Sequence, residues 1–95
     1  MTSGVTLSDL LRQIRRRIEE AKIYPEDARR EGIQGTVDVR FRIGTDGSVE
    51  QSEIVRSSGS RLLDEASERT IRQAAPFPRV SGWLRIPLSY HLREK

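Results

Sequence analysis

A chain of 95 residues with a net charge of +3 has room for one domain and no more. It has no cysteine, which excludes disulfides and zinc–thiolate sites, and no apolar run approaches the ~20 residues a membrane-spanning helix needs. With 33% of its residues charged it reads as a surface-rich module with a thin core, and the mild positive charge permits an anionic partner without requiring one.

Residues 1–5 read as a linker remnant and residues 6–95 as the domain. Thr6-Leu7-Ser8-Asp9 fits a capping box, with Thr6 as N-cap and Asp9 three residues on. Leu7, Leu10, Leu11, Ile14, Ile18 and Ala21 follow at helical spacing, which predicts an amphipathic helix over 7–22. Arg12, Arg15, Arg16, Arg17 and Lys22 occupy its other faces, partly offset by Glu19 and Glu20. Tyr24-Pro25 ends this helix, because the residue before proline is biased away from the α region. Pro25 then opens a short second helix that Gly32 stops.

Thr36 to Ile43 is a strand with Val37, Val39, Phe41 and Ile43 on one face and Asp38, Arg40 and Arg42 on the other. Gly44-Thr45-Asp46-Gly47 is a hairpin turn with Asp46 as turn former. The return strand, 48–56, is less regular. Val49 and Val55 are in phase while Ile54 is not, and a bulge between Glu50 and Glu53 would bring Ile54 inward. Ser57 and Ser58 read as cap residues of a helix over 61–75, whose buried face is Leu62, Leu63, Ala66, Thr70, Ile71 and Ala74. Pro76-Phe77-Pro78 breaks it, with Phe77 as a plug between helix end and sheet.

The remaining segment organises the rest. Leu84, Ile86, Leu88, Tyr90 and Leu92 alternate with Arg85, Pro87, Ser89, His91 and Arg93, the period of a half-buried strand over 83–92. Pro87 has no N–H to give to a ladder, so this strand belongs at a sheet edge. With Pro87 facing the open side, Arg85, Ser89, His91 and Arg93 present their backbone groups there too. A long open edge is an aggregation risk unless it has a use, such as capturing an extended peptide. The expected architecture is α+β: a three-stranded antiparallel sheet with helices on one face, in the order α, short α, β, β, α, β, the third strand lying beside the first.

No catalytic constellation is recognisable. The single histidine, His91, has no cysteine or second histidine to share a metal with, and Ser57 and Ser58 have no histidine at a nucleophile spacing. The expectation is no enzyme activity, no metal, no cofactor and no small-molecule substrate. Gly32 to Gly35 and Gly44 to Gly47 both spell G-x-x-G, but one precedes a strand and the other joins two, unlike the helix-flanked clamp of KH domains. The arginines of the first helix and first strand nonetheless make a small nucleic-acid-binding α+β module the second reading.

Tyr24-Pro25, Ala28, Gly32-Ile33, Gly35-Thr36-Val37, Asp46-Gly47, Ile54-Val55, Ser57-Ser58-Gly59, Leu63-Asp64, Ala66, Pro76-Phe77-Pro78 and Ile86-Pro87 form an ordered set that resembles the C-terminal domain of TonB proteins, over nearly the whole chain. The resemblance implies a periplasmic energy-coupling module, anchored in the inner membrane by an N-terminal helix absent from this chain and driven through ExbB and ExbD. Such a domain binds the TonB box of outer-membrane transporters for siderophores, haem or cobalamin by β-strand addition to its last strand. The implied peptide-binding residues are Tyr24, Trp83, Leu84, Arg85, Ile86, Leu88, Ser89, Tyr90, His91 and Leu92. The same edge would also allow a homodimer. Ile23 stands where the family commonly has glutamine, and Gln51 and Ser52 interrupt a stretch that is more often apolar.

Overall fold

The structure is a computed structural model, and it describes residues 4–93. Of the expected linker, Met1, Thr2 and Ser3 lie outside the described residues, as do the last two residues of the expected domain. Helix α1 (Leu7–Ala21) begins with the expected capping box: Asp9 N–H donates to Thr6 Oγ1, and Thr6 N–H to the Asp9 carboxylate. Ile14 and Ile18 are its buried residues, while Leu7 and Leu11 are exposed. Helix α2 (Glu26–Arg30) is one turn, and Pro25 is its N-cap rather than its first helical residue.

Strands β1 (Gly35–Ile43), β2 (Val49–Arg56) and β3 (Trp83–Tyr90) form one antiparallel sheet in the order β2-β1-β3. The long β-α-β connection through helix α3 (Arg61–Ala74) carries β3 across to pair with β1, as expected. Val37, Val39, Phe41 and Ile43 of β1 and Ile86, Leu88 and Tyr90 of β3 are buried against Ile14, Ile18, Leu63, Ile71 and Ala74 of the helices. Burial of each large apolar side chain contributes about 1.5–3 kcal/mol, so this single layer of contacts is what holds helices to sheet.

Three details differ from the expectation. In β2 the extra residue is Glu50, left over because Arg42 faces Gln51 while Ile43 faces Val49. A second irregularity leaves over Val55, since Val39 faces Ile54 and Asp38 faces Arg56. Ile54 therefore packs against the core as expected, but Val55 turns outward and is 42% exposed. Ser57 and Ser58 do not cap α3; Ser60 does, accepting from Leu63 N–H. Both earlier serines instead donate to the carboxylate of Asp64, from the Ser57 and Ser58 hydroxyls and the Ser58 N–H. Finally, β3 ends at Tyr90, so His91 and Leu92 lie beyond the strand.

Phe77 plugs the gap between α3 and the sheet. Its ring lies 5.5 Å from that of Phe41, and its N–H donates to Gly47 O at 2.8 Å. Asp46 is a turn former, its carboxylate accepting from Ser48 N–H and hydroxyl.

Candidate functional site

A three-stranded sheet has two outer edges, and here they are unlike. The β2 edge is bulged at both ends, which bends a strand and spoils it as a pairing template. The β3 edge is regular: from Gly35 opposite Tyr90 to Arg42 opposite Trp83, its pairing with β1 has no shift.

Which backbone groups of β3 remain free follows from three contacts. Pro87 sits opposite Asp38 in this unbroken ladder, and with no N–H it fits only where the backbone points away from β1. Two residues on, Ser89 O accepts from the Lys22 ammonium of the helix side rather than from β1. Leu92 N–H, of the opposite parity, donates to Gln34 Oε1 at the start of β1. Backbone groups of alternate residues point to opposite edges. Trp83, Arg85, Pro87 and Ser89 therefore face the open side.

The ten expected peptide-binding residues divide accordingly. Ile86, Leu88 and Tyr90 direct side chains into the core and backbone toward β1, so they support the edge from within, and Leu84 is half-buried on the same face. On the wet face, Arg85 donates to Asp38 at 3.0 Å and Ser89 and Thr36 hydroxyls meet at 3.2 Å across the strands. Trp83 is 40% exposed, with the Arg40 guanidinium 4.5 Å from its ring centroid. Tyr24 donates its hydroxyl to Ile33 O, and its ring meets that of Tyr90 edge-on at 5.5 Å. It thus braces the end of β3 from below. His91 is exposed past the strand end.

Helix α1 runs beside β3, from Leu11 near Leu84 to Lys22 at Ser89. Between them lies a cleft of about 200 Å³ lined by Leu11, Ile14, Phe41, Leu84 and Ile86, with Arg15 and Arg85 in its walls. The arginines of the wet face are ion-paired: Arg40 with Glu53, Arg42 with Glu50, Arg85 with Asp38. That pairing offsets the first-strand arginines, one part of the basic surface on which the nucleic-acid reading rested.

Sequence reasoning missed Ser67. It is buried on α3, donating to Leu63 O at 2.9 Å and meeting the Tyr90 hydroxyl at 3.1 Å. Its position four residues after Leu63 and four before Ile71 was the available signal. Burial pushes the Tyr90 phenol above its ordinary pKa, partly countered by hydrogen bonding with Ser67 and Thr70. Among the described residues no group of histidines and carboxylates could hold a metal ion.

An α+β layer with one regular, uncovered edge and its polar groups committed to structure defines a small interaction domain. Residues 20–92 match the family model described as Gram-negative bacterial TonB protein C-terminal. The chain belongs to this family, whose C-terminal domains are non-enzymatic interaction modules. It is 36% identical to Protein TonB of Helicobacter pylori over 90 residues, 92% of this chain and 32% of that protein. Against Protein TonB of Pseudomonas putida the identity is 41% over 64 residues, 67% of this chain and 26% of that protein. The chain thus spans about a third of the curated relatives it matches, or less. Its fold is similar to the NMR solution structure of the Helicobacter pylori TonB C-terminal domain, with TM-score 0.81, 32% identity, and 99% and 100% of the two chains covered. No helix of the described residues is long and apolar enough to cross a membrane.

Proposed function

We propose that residues 6–95 are the periplasmic coupling domain of a longer protein, in which the β3 edge grips the TonB box of outer-membrane transporters by strand addition. An N-terminal helix holds that protein in the inner membrane, where ExbB and ExbD drive it, and the cargo is a siderophore, haem or cobalamin. The observation that carries this reading is the contrast between the sheet's two edges: β2 twice bulged, β3 unbroken with Pro87 facing outward.

The energetics fit a peptide held mainly by its backbone. An added strand finds both groups of Arg85 and the Pro87 carbonyl free, and each net hydrogen bond contributes about 0.5–1.5 kcal/mol. Residues of the docked strand opposite Leu84 and Ile86 share their face of the sheet. Their side chains reach the cleft beside Leu11 and Ile14, where apolar groups are best placed. Residues opposite Arg85 lie on the wet face near Trp83 and can exchange with Asp38 for the Arg85 guanidinium. A strand docked this way and pulled along its axis loads all its hydrogen bonds together, which suits a domain that transmits force.

The test is a titration of the ¹⁵N-labelled chain with a TonB-box peptide. Amide shifts are expected from Trp83 toward Pro87, with β2 unaffected. Unmoved β3 amides at millimolar peptide refute the proposal.

A further inference from the structure

Taking β3 as the docking edge, we propose that Lys22 sets where that edge stops and keeps two copies of the chain from pairing through it. Lys22 is the C-cap of α1, where the backbone leaves the helix and the side chain can cross to the sheet. Its ammonium lies 2.6 Å from Ser89 O, a contact between residues 67 positions apart. The same group pairs with Glu19 at 3.2 Å and sits 5.4 Å from the Tyr90 ring centroid. Its side chain is only 22% exposed, so a flexible residue is held in one place by three neighbours.

The position matters because Ser89 O is the last outward-facing carbonyl of β3. A free edge carbonyl accepts from any incoming N–H. This one already accepts a charge-assisted bond, which is stronger than the neutral bond that would replace it. An incoming strand therefore finds Arg85 and Pro87 open and Ser89 half closed. Short strands that pair with Trp83 to Pro87 are unaffected by the block.

A second copy of this chain is not. Two β3 strands pairing about a two-fold axis present the same surface to each other, so whatever blocks one end blocks both. A pair that runs the full length of β3 uses both Ser89 carbonyls and brings two ammonium groups to its ends. A lysine on an exposed edge is a known way to suppress strand-to-strand association, and here it is supplied by a helix rather than by the strand. The device thus favours a short foreign peptide over self-pairing.

The experiment compares the wild-type chain with Lys22→Met, which keeps the stem over Tyr90 and removes the ammonium, and with Lys22→Arg, which keeps a cation. Sedimentation equilibrium should show Lys22→Met self-associating more tightly, by about two- to tenfold for each carbonyl freed, with Lys22→Arg like the wild type. In the TonB-box titration, shifts should end near Pro87 in the wild type and extend to Ser89 and His91 in Lys22→Met. Unchanged association together with an unchanged shift boundary in Lys22→Met overturns the proposal. If the peptide moves no β3 amide in either protein, the docking reading fails, and sedimentation alone then decides the role of Lys22.

Discussion

Replacing Pro87 by alanine adds one backbone N–H to the chain, and where that N–H points is the crux of the structure. The ladder with β1 places it on the open side of β3, at an exposed residue opposite Asp38. The free protein then gains nothing, because the new donor meets water. It loses the restriction proline imposes on the unfolded chain, about 0.4–1 kcal/mol. For a domain of this size the expected fall in Tm is about 2–8 °C. A docked strand, by contrast, gains a donor where there was none. One added net hydrogen bond of about 0.5–1.5 kcal/mol tightens peptide binding about two- to tenfold. Calorimetric titration and thermal unfolding of Pro87→Ala measure the two effects separately. The new amide should exchange rapidly in the free protein and become protected when peptide is bound. Protection in the free protein, with a rise in stability, would mean that the amide points at β1 and that the deduced edge is reversed.

Gly47→Ala should be strongly destabilising: Gly47 has φ +86°, and an added Cβ would lie 2.9 Å from Phe77 O and 3.1 Å from the Pro76 Cβ. The left-handed backbone alone accounts for about 1–2 kcal/mol, and a loss in urea unfolding below about 0.5 kcal/mol would contradict both the left-handed turn at Gly47 and its contact with Phe77. Asp64 gives a pH signature. Burial works against its ionisation, but hydrogen bonds from Ser57 and Ser58 outweigh it and hold the carboxyl below its ordinary value. Its contribution to stability is therefore present above the unfolded pKa of about 3.9 and lost as pH falls through the lower folded value. Asp64→Asn should flatten the acid limb of the stability curve below about pH 4, and urea midpoints that follow the wild-type curve there would count against the Ser57–Ser58–Asp64 contacts.

Much of this protein was written in local pattern. The period-two runs of β1 and β3 named their buried faces, because alternation along a strand is set by covalent geometry and needs no knowledge of neighbours. Pro87 announced an edge for the same reason: the missing N–H belongs to the residue. The capping box at Thr6 and Asp9 and the turn at Asp46 were equally readable, each depending on residues at most three apart. The β2 phase was only half legible. A bulge could be anticipated from Ile54, but turning Val55 outward took a second irregularity that the pairing with β1 decides.

What tertiary structure alone settled are contacts between residues far apart in sequence. Whether Ser89 O is free or held depends on where α1 ends relative to β3, and nothing in the spacing of Lys22 and Ser89 reveals it. Ser67 stands at a buried-face spacing on α3, but its partner Tyr90, 23 residues on, is visible only in the fold. Tyr24 was expected among the peptide contacts; that its hydroxyl is committed to Ile33 O was visible only in the fold. Sequence determined which strand could offer an edge, since that is a property of one segment's own backbone. How much of the edge stays open was decided by packing, since a hydrogen-bonding group is free or taken only by virtue of what the rest of the chain brings within about 3 Å of it.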